Sequence, residues 1–202
     1  MKSIIRNGYN NTFPDRRLRR IIGKNAATID THMTVDERLE LFLMSHTAAS
    51  SGVMLEVGSY LGASSTSLSE GLRRKLSSGK LYCVDTWEND AMSEGKRPTF
   101  EIFDNNTSKW KSFIQIVRGN SRTVDIPPVE NLDLVFIDGD HSYEGAKSDA
   151  VRFSPLVRVG GLLMFHDSDR TEVARVIGET LAQGNWVPYG HVHRLTTLRR
   201  MQ

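Results

Sequence analysis

Apolar and polar positions along the chain fall into two kinds of block, helix-period stripes and short unbroken apolar runs. Val35, Leu39, Phe42 and Leu43 mark a stripe behind a capping-box pattern, Thr34 with Glu37, so a helix is expected over 34–50, stopped by Ser51-Gly52. Residues 53–57 read as a first core strand, 64–76 as a helix, and 81–84 as a second strand closed by Asp85. The stretch from Trp87 to Pro98 is polar and rich in breakers, which predicts a loop, and Phe100, Phe103 and Trp110 mark a further helix. A third strand is expected over 114–117, ended by Gly119-Asn120-Ser121. Residues 134–137 carry β-branched and aromatic bulk without surface alternation, as in a central parallel strand covered on both faces. A helix over 143–157 follows, and Gly160-Gly161 is expected to turn the chain into a fifth strand over 162–165. The last blocks predict a helix over 171–183 with Gly184 as its stop, then two short strands within 186–199 joined near Gly190.

Strands alternating with helices, closed by a hairpin, predict an α/β fold: a doubly wound, mostly parallel seven-stranded sheet with an antiparallel C-terminal edge. Residues 34–202 form the expected domain. Residues 1–33 are expected to be a flap or an oligomer contact, which makes a homodimer a reasonable assembly. Within that segment Arg16, Arg17, Arg19 and Arg20 form a basic cluster, read as a solvated face, a clamp for an anionic substrate or a subunit contact.

Bulk properties narrow the class. The 202 residues are 39% hydrophobic and 25% charged, as in a globular protein with one sizeable core. A net charge of +2 gives no reason to expect nucleic acid. No run reaches the roughly 18 apolar residues of a membrane span, and the first 20 residues lack the apolar stretch of a signal peptide. With a single cysteine, Cys83, no internal disulfide can form, and a cytoplasmic setting is expected. His191 and His193 alternate on the last hairpin with nothing near to complete a metal site, so they read as surface-strand residues.

The chemistry gathers where predicted strands end, the place where open α/β sheets bind ligands. The fourth strand empties into Asp138, Asp140 and His141, and the fifth into His166 and Asp167, which suggests a metal or acid/base site between them. The first strand runs into Glu56-Val57-Gly58-Ser59-Tyr60-Leu61-Gly62-Ala63-Ser64-Ser65. Two glycines let that turn approach a ligand, and Ser64 and Ser65 offer hydroxyls at a helix start. Ser59 and Tyr60 exclude the dinucleotide glycine pattern, and no Gly-Lys-Ser/Thr makes a phosphate loop. Glu56 suits a cationic ligand. Asp85 stands where a carboxylate can accept both hydroxyls of a ribose, and Trp87 can cover an adenine.

In that order the blocks Glu-x-Gly-x-x-x-Gly-x-Ser, Val-Asp-x-Trp, Gly-Asn-Ser, Phe-Ile-Asp-Gly-Asp-His-x-Tyr-Glu and Gly-Gly-Leu-Leu-Met-Phe-His-Asp resemble class I S-adenosylmethionine-dependent methyltransferases. More narrowly, they resemble the metal-dependent small-molecule O-methyltransferases that act on catechols and macrolide sugars. The resemblance covers residues 34–185, and its most specific part is the Phe-Ile-Asp-Gly-Asp-His block. It implies that Glu56, Gly58, Ser59 and Gly62 surround the methionine portion of the cofactor, with Asp85 on the ribose and Trp87, Asn120 and Ser121 near the adenine, and Ser64 is a further expected cofactor contact. Asp138 borders both cofactor and metal. The implied metal ligands are Asp138, His166 and Asp167, and the implied general base is His141, three positions after Asp138. Mg²⁺ is the default ion because hard cations take oxygen ligands, but His166 departs from an all-oxygen set and leaves open either Mn²⁺ or a place for His166 behind the ligands. The acceptor implied is a small hydroxylated molecule, a sugar or glycoside before a catechol or other vicinal diol. A metal-dependent hydroxylase or hydrolase on the same fold is the alternative.

Overall fold

The computed structural model describes residues 15–76, 78–89 and 95–202. Two short helices, α1 (Arg16–Ile22) and α2 (Lys24–Ala27), lead into α3 (Val35–Ala48). Then come β1 (Val53–Val57), α4 (Ala63–Lys75), β2 (Lys80–Asp85), α5 (Phe100–Thr107) and β3 (Ile114–Arg118). The second half holds β4 (Leu132–Ile137), α6 (Tyr143–Phe153), β5 (Val157–Phe165), α7 (Thr171–Leu181), β6 (Trp186–Val192) and β7 (Leu195–Arg200). The strands form one sheet in the order β3-β2-β1-β4-β5-β7-β6, parallel except where β7 pairs with β5 and β6. This is the doubly wound sheet with an antiparallel edge that the apolar pattern predicts.

β4 shows why its sequence carries no alternation. Leu134 and Phe136 pack on one face with Leu41 of α3 and Leu68 and Leu72 of α4. Val135 and Ile137 pack on the other with Ala146, Ala150 and Phe153 of α6 and Val173 and Val176 of α7. Each Val, Leu, Ile or Phe side chain among them, taken out of water, contributes about 1.5–3 kcal/mol. A third cluster joins Leu18, Ile22, Ala26 and Ile29 to Leu61, Ala63 and Trp110, so the described part of the N-terminal segment is packed onto the sheet domain. Buried Arg38 fastens it, donating to the carbonyls of Ala26 (2.9 Å) and Ala63 (3.2 Å). The remainder of the expected flap, residues 1–14, lies outside the described residues, as do 90–94 of the expected loop. Among the described residues no helix is long and apolar enough to cross a membrane.

Three boundaries differ from expectation. α6 stops at Phe153, because Pro155 cannot continue it, and a 3₁₀ turn (Ser154–Leu156) follows. Gly160-Gly161 sits within β5 instead of before it: residues 157–159 are already strand, and the β4–β5 register shifts between Leu132 and Leu134 to absorb the irregularity. The last hairpin turns at His193-Arg194, not at Gly190, which lies in β6 beside a register shift after the edge residue Pro188.

Candidate active site

The carboxyl ends of β1 to β5 open on one cavity of about 1130 Å³. Its floor begins at the turn after β1. Gly58 (φ 85°) has no room for a side chain, since a Cβ there would fall 2.1 Å from the Asp138 carbonyl oxygen, so the β1 and β4 turns touch backbone to backbone. Gly62 (φ 89°) is held as closely, with a Cβ position 2.6 Å from Thr107. Asp85, at the end of β2, organises this turn. One of its oxygens accepts from the amides of Ser59 (2.7 Å) and Tyr60 (2.9 Å), and the other accepts from the Trp87 amide (2.7 Å). The expected cofactor residues Gly58, Ser59, Ser64, Asp85, Asn120, Ser121 and Asp138 all line the cavity.

Three of the expected cofactor residues, Glu56, Gly62 and Trp87, lie outside the cavity lining. Glu56 is fully buried beneath the turn, where its carboxylate accepts from the hydroxyls of Ser59 (2.7 Å) and Ser65. Burial raises its pKa, and one of its oxygens has no partner among the described residues, so it braces the turn from below. The Trp87 ring is also fully buried, with ring centroids 4.8 Å from Phe103 and 5.3 Å from Phe100. Its backbone takes a positive φ (53°) that turns the ring under α5, and the cavity meets Thr86 in its place. A bulky indole gains more in the core than at the rim of a polar cavity.

At the other end of the cavity stands the charged cluster. Asp138, His141 and Asp167 bring one ligand atom each to within 4.8 Å of one another. His141 Nε2 lies 3.1 Å from Asp167 Oδ2. Asp167 adopts a left-handed backbone (φ 50°), which aims its carboxylate into the cluster. The opposite oxygen accepts from the Arg194 guanidinium (2.6 Å). His166 lies behind this group: the buried ring places Nδ1 3.1 Å from Asp138 and Nε2 3.5 Å from Glu37. Burial alone would lower its pKa, but Asp138, Asp167 and Glu37 raise it to about 12. In the converging set of ligand atoms His141 stands where His166 was expected, and His166 is held behind it between Asp138 and Glu37. The two carboxylates, Asp138 and Asp167, are hard oxygen donors that fit a divalent cation, with the His141 imidazole beside them.

Two residues of this cluster carry no chemical signature in the sequence. Glu37 does form the predicted capping box, accepting from the Thr34 amide (2.7 Å), but its other oxygen accepts from the Arg194 amide (3.0 Å) and faces His166. Burial would raise this carboxyl, yet His166, the Thr34 amide and the Arg194 amide hold it at about 2. Arg194 comes from the hairpin tip and also donates to the His32 carbonyl (2.6 Å), tying the cluster to the segment before α3. Asp140 does not join the cluster. It accepts from the Ser142 amide (2.9 Å) and from Arg122 (2.9 Å).

A family model described as a methyltransferase domain matches residues 55–168, more than half of the chain. The chain belongs to this methyltransferase family. No curated protein matches it. Among solved structures, the methyltransferase is similar to the O-methyltransferase NovP, at 13% identity and a TM-score of 0.72, over 92% of this chain and 88% of that one. It is also similar to an O-methyltransferase from Bacillus cereus in complex with S-adenosylhomocysteine (16%, TM-score 0.65, 92% and 91% covered). A third is TomG from Streptomyces achromogenes, an O-methyltransferase of tomaymycin synthesis in complex with S-adenosylmethionine (16%, TM-score 0.60, 93% and 91%). At these identities the likeness is one of fold, and it is the Rossmann-like methyltransferase fold.

Proposed function

We propose that this methyltransferase transfers the methyl group of S-adenosylmethionine to a hydroxyl of a small acceptor, preferably a sugar or glycoside, with a divalent ion at Asp138 and Asp167. The observation that carries this reading is that the Asp138–His141–Asp167 cluster opens on the same cavity as the Gly58–Ser64 turn and Asp85. A sulfonium cofactor laid across that turn would bring its methyl toward the cluster. There the acceptor oxygen has to shed a proton as it attacks. With Nε2 directed at Asp167, the other nitrogen of His141 can take that proton, and the carboxylate then stabilises the imidazolium. The methyl carbon leaves sulfur for oxygen, S-adenosylhomocysteine departs, and the proton rests on His141. The ion's contribution, when bound, is to stabilise the developing alkoxide and to hold a second acceptor oxygen.

Calorimetric titration with S-adenosylhomocysteine, followed by methylation of sugars and diols with Mg²⁺, Mn²⁺ or chelator, tests this. Micromolar binding that is lost in Asp85→Ala, with methylation abolished by chelator, supports it. Absence of binding under any condition removes it. The Arg194–Asp167 pair favours one second reading, in which protein cations alone steady the alkoxide. Methylation that survives chelation would select that reading over the metal-dependent one.

A further inference from the structure

On the hairpin side of the cavity stands a guanidinium that the proposed chemistry leaves unused. The chain leaves β5 through Asp167 and turns at once, with the Arg170 amide donating to the Asp167 carbonyl (2.9 Å). Ser168 fastens this turn to the hairpin tip, its amide and its hydroxyl both donating to the Arg194 carbonyl at 2.9 Å. Arg170, held in this way, lines the cavity. Its Nε lies 3.8 Å from Asp167 Oδ2, the same oxygen that His141 Nε2 approaches to 3.1 Å. The side chain is therefore beside the proposed reacting centre yet beyond hydrogen-bond reach of it, and among the described residues Asp167 is the only carboxylate it meets. The other two guanidiniums of the cavity are committed. Arg194 donates to Asp167 and to the His32 carbonyl, and Arg122 pairs with Asp140. The sheet order shows which ligand the unused fork would meet. The Gly58–Ser64 turn and Asp85 follow β1 and β2, on one side of β4, whereas Arg170 follows β5, on the other. The cofactor lies toward the first side, so the second belongs to the acceptor.

We propose that Arg170 sets the acceptor class: the hydroxyl to be methylated belongs to a sugar that also carries an oxyanion, a carboxylate or a phosphate, and Arg170 grips that group while the hydroxyl rests against His141. A guanidinium presents paired N–H donors in a planar fork that matches two oxygens of one oxyanion, and a neutral sugar has nothing equivalent to offer it. Glu172, on the first turn of α7, lines the same wall and offers acceptors to the remaining hydroxyls of the ring, which suits a sugar acid better than a bare anion. The charge of Asp167 opposes an anion here, and Arg194, on its other oxygen, offsets it. The inference rests on the S-adenosylmethionine reading above and narrows its acceptor, and it is tested separately from it.

The experiment is calorimetric titration of the protein, saturated with S-adenosylhomocysteine and Mg²⁺, with glucose, glucuronate and glucose phosphorylated on its primary hydroxyl. These ligands differ at a single carbon. Wild type is expected to bind a charged ligand about 10-fold more tightly than glucose, the lower end of the range for a hydrogen bond to a charged group. The tighter of the two anions then names the oxyanion as carboxylate or phosphate. Arg170→Gln should erase the gain, and Arg170→Lys, which keeps the charge without the fork, should retain only part of it. Both variants should bind S-adenosylhomocysteine as wild type does, which separates a lost preference from misfolding. Equal affinity for charged and neutral ligands, a preference that survives Arg170→Gln, no binding of either anion, or a variant that loses the cofactor along with the anion overturns the inference and leaves Arg170 a solvated neighbour of Asp167. If wild type does not bind S-adenosylhomocysteine, the cofactor reading itself fails and the inference falls with it.

Discussion

Strand β4 has a carboxylate near each end, one buried and one half-buried, and the two are treated in opposite ways. Below the sheet, Asp133 is fully buried and saturated: the amides of Ser50, Ser51 and Gly52 and the Nε of Arg158 all donate to it within 3.1 Å. Burial would raise its carboxyl, but those donors hold it below the ordinary range. Above the sheet, Asp138 shares His166, and Asp149, behind the same end, keeps an oxygen with no donor among the described residues. Saturation marks a group that works for the fold. Incomplete satisfaction, in a cavity, marks a group waiting for a ligand.

The comparison breaks most visibly if the upper carboxylates prove structural. His141→Ala is expected to lower kcat by about 10²- to 10⁴-fold, the usual range for a missing proton acceptor, while the melting temperature moves by no more than about 2 °C. A large fall in melting temperature with near-normal turnover of the folded protein would reverse the assignment. At the lower end the expectation is the opposite. Asp133→Ala leaves Arg158 and three amides without their acceptor and should cost about 3 kcal/mol, read as a drop of roughly 6–12 °C in thermal melting. Cofactor binding by the fraction that remains folded should be unchanged, and a loss there would show that the loop between α3 and β1 communicates with the cavity.

Most of the scaffold and half of the site are legible in the chain because they depend on local pattern. The run from Leu132 to Ile137 announces a strand buried on both faces, and its terminal Asp138 and His141 announce chemistry. What is hidden depends on segments distant in sequence meeting in space. Glu37 reads as a helix cap and is one, yet it also faces His166, about 130 positions away. Arg194 is an ordinary residue of a hairpin until the hairpin's true turn, at His193-Arg194, sets it on Asp167. Trp87 misleads because a residue just past a strand end is read as pointing into the cavity, and a single positive φ turns it away. His166 differs from expectation for a geometric reason: its place in the Phe-His-Asp block suggests a ligand, but its ring lies between Asp138 and Glu37, behind the atoms that converge. Asp149 has no motif at all, since only its missing partner singles it out.

The smallest expected effect is also the one that separates the two kinds of carboxylate most directly. Burial pushes Asp149 up to about 6, against which the Ser121 hydroxyl and the guanidinium of Arg122 act weakly, and Asp140 adds to the rise. A carboxyl whose folded pKa lies above its unfolded one favours the folded state when protonated. Wild type therefore loses stability as pH rises from near 4 through 6, by an amount on the order of 2 kcal/mol. Asp149→Asn cannot ionise, so it should melt higher than wild type at pH 7.5 and alike at pH 4, in the absence of ligand. Asp133, whose folded pKa is lowered, contributes stability above its unfolded pKa that is lost as the pH falls, so Asp133→Asn should show its deficit most fully at pH 7.5. Melting curves of both variants across that range should diverge from wild type in opposite directions at high pH. If Asp149→Asn melts lower than wild type at pH 7.5, its carboxylate has partners that stabilise it, and the contrast between the two ends of β4 disappears.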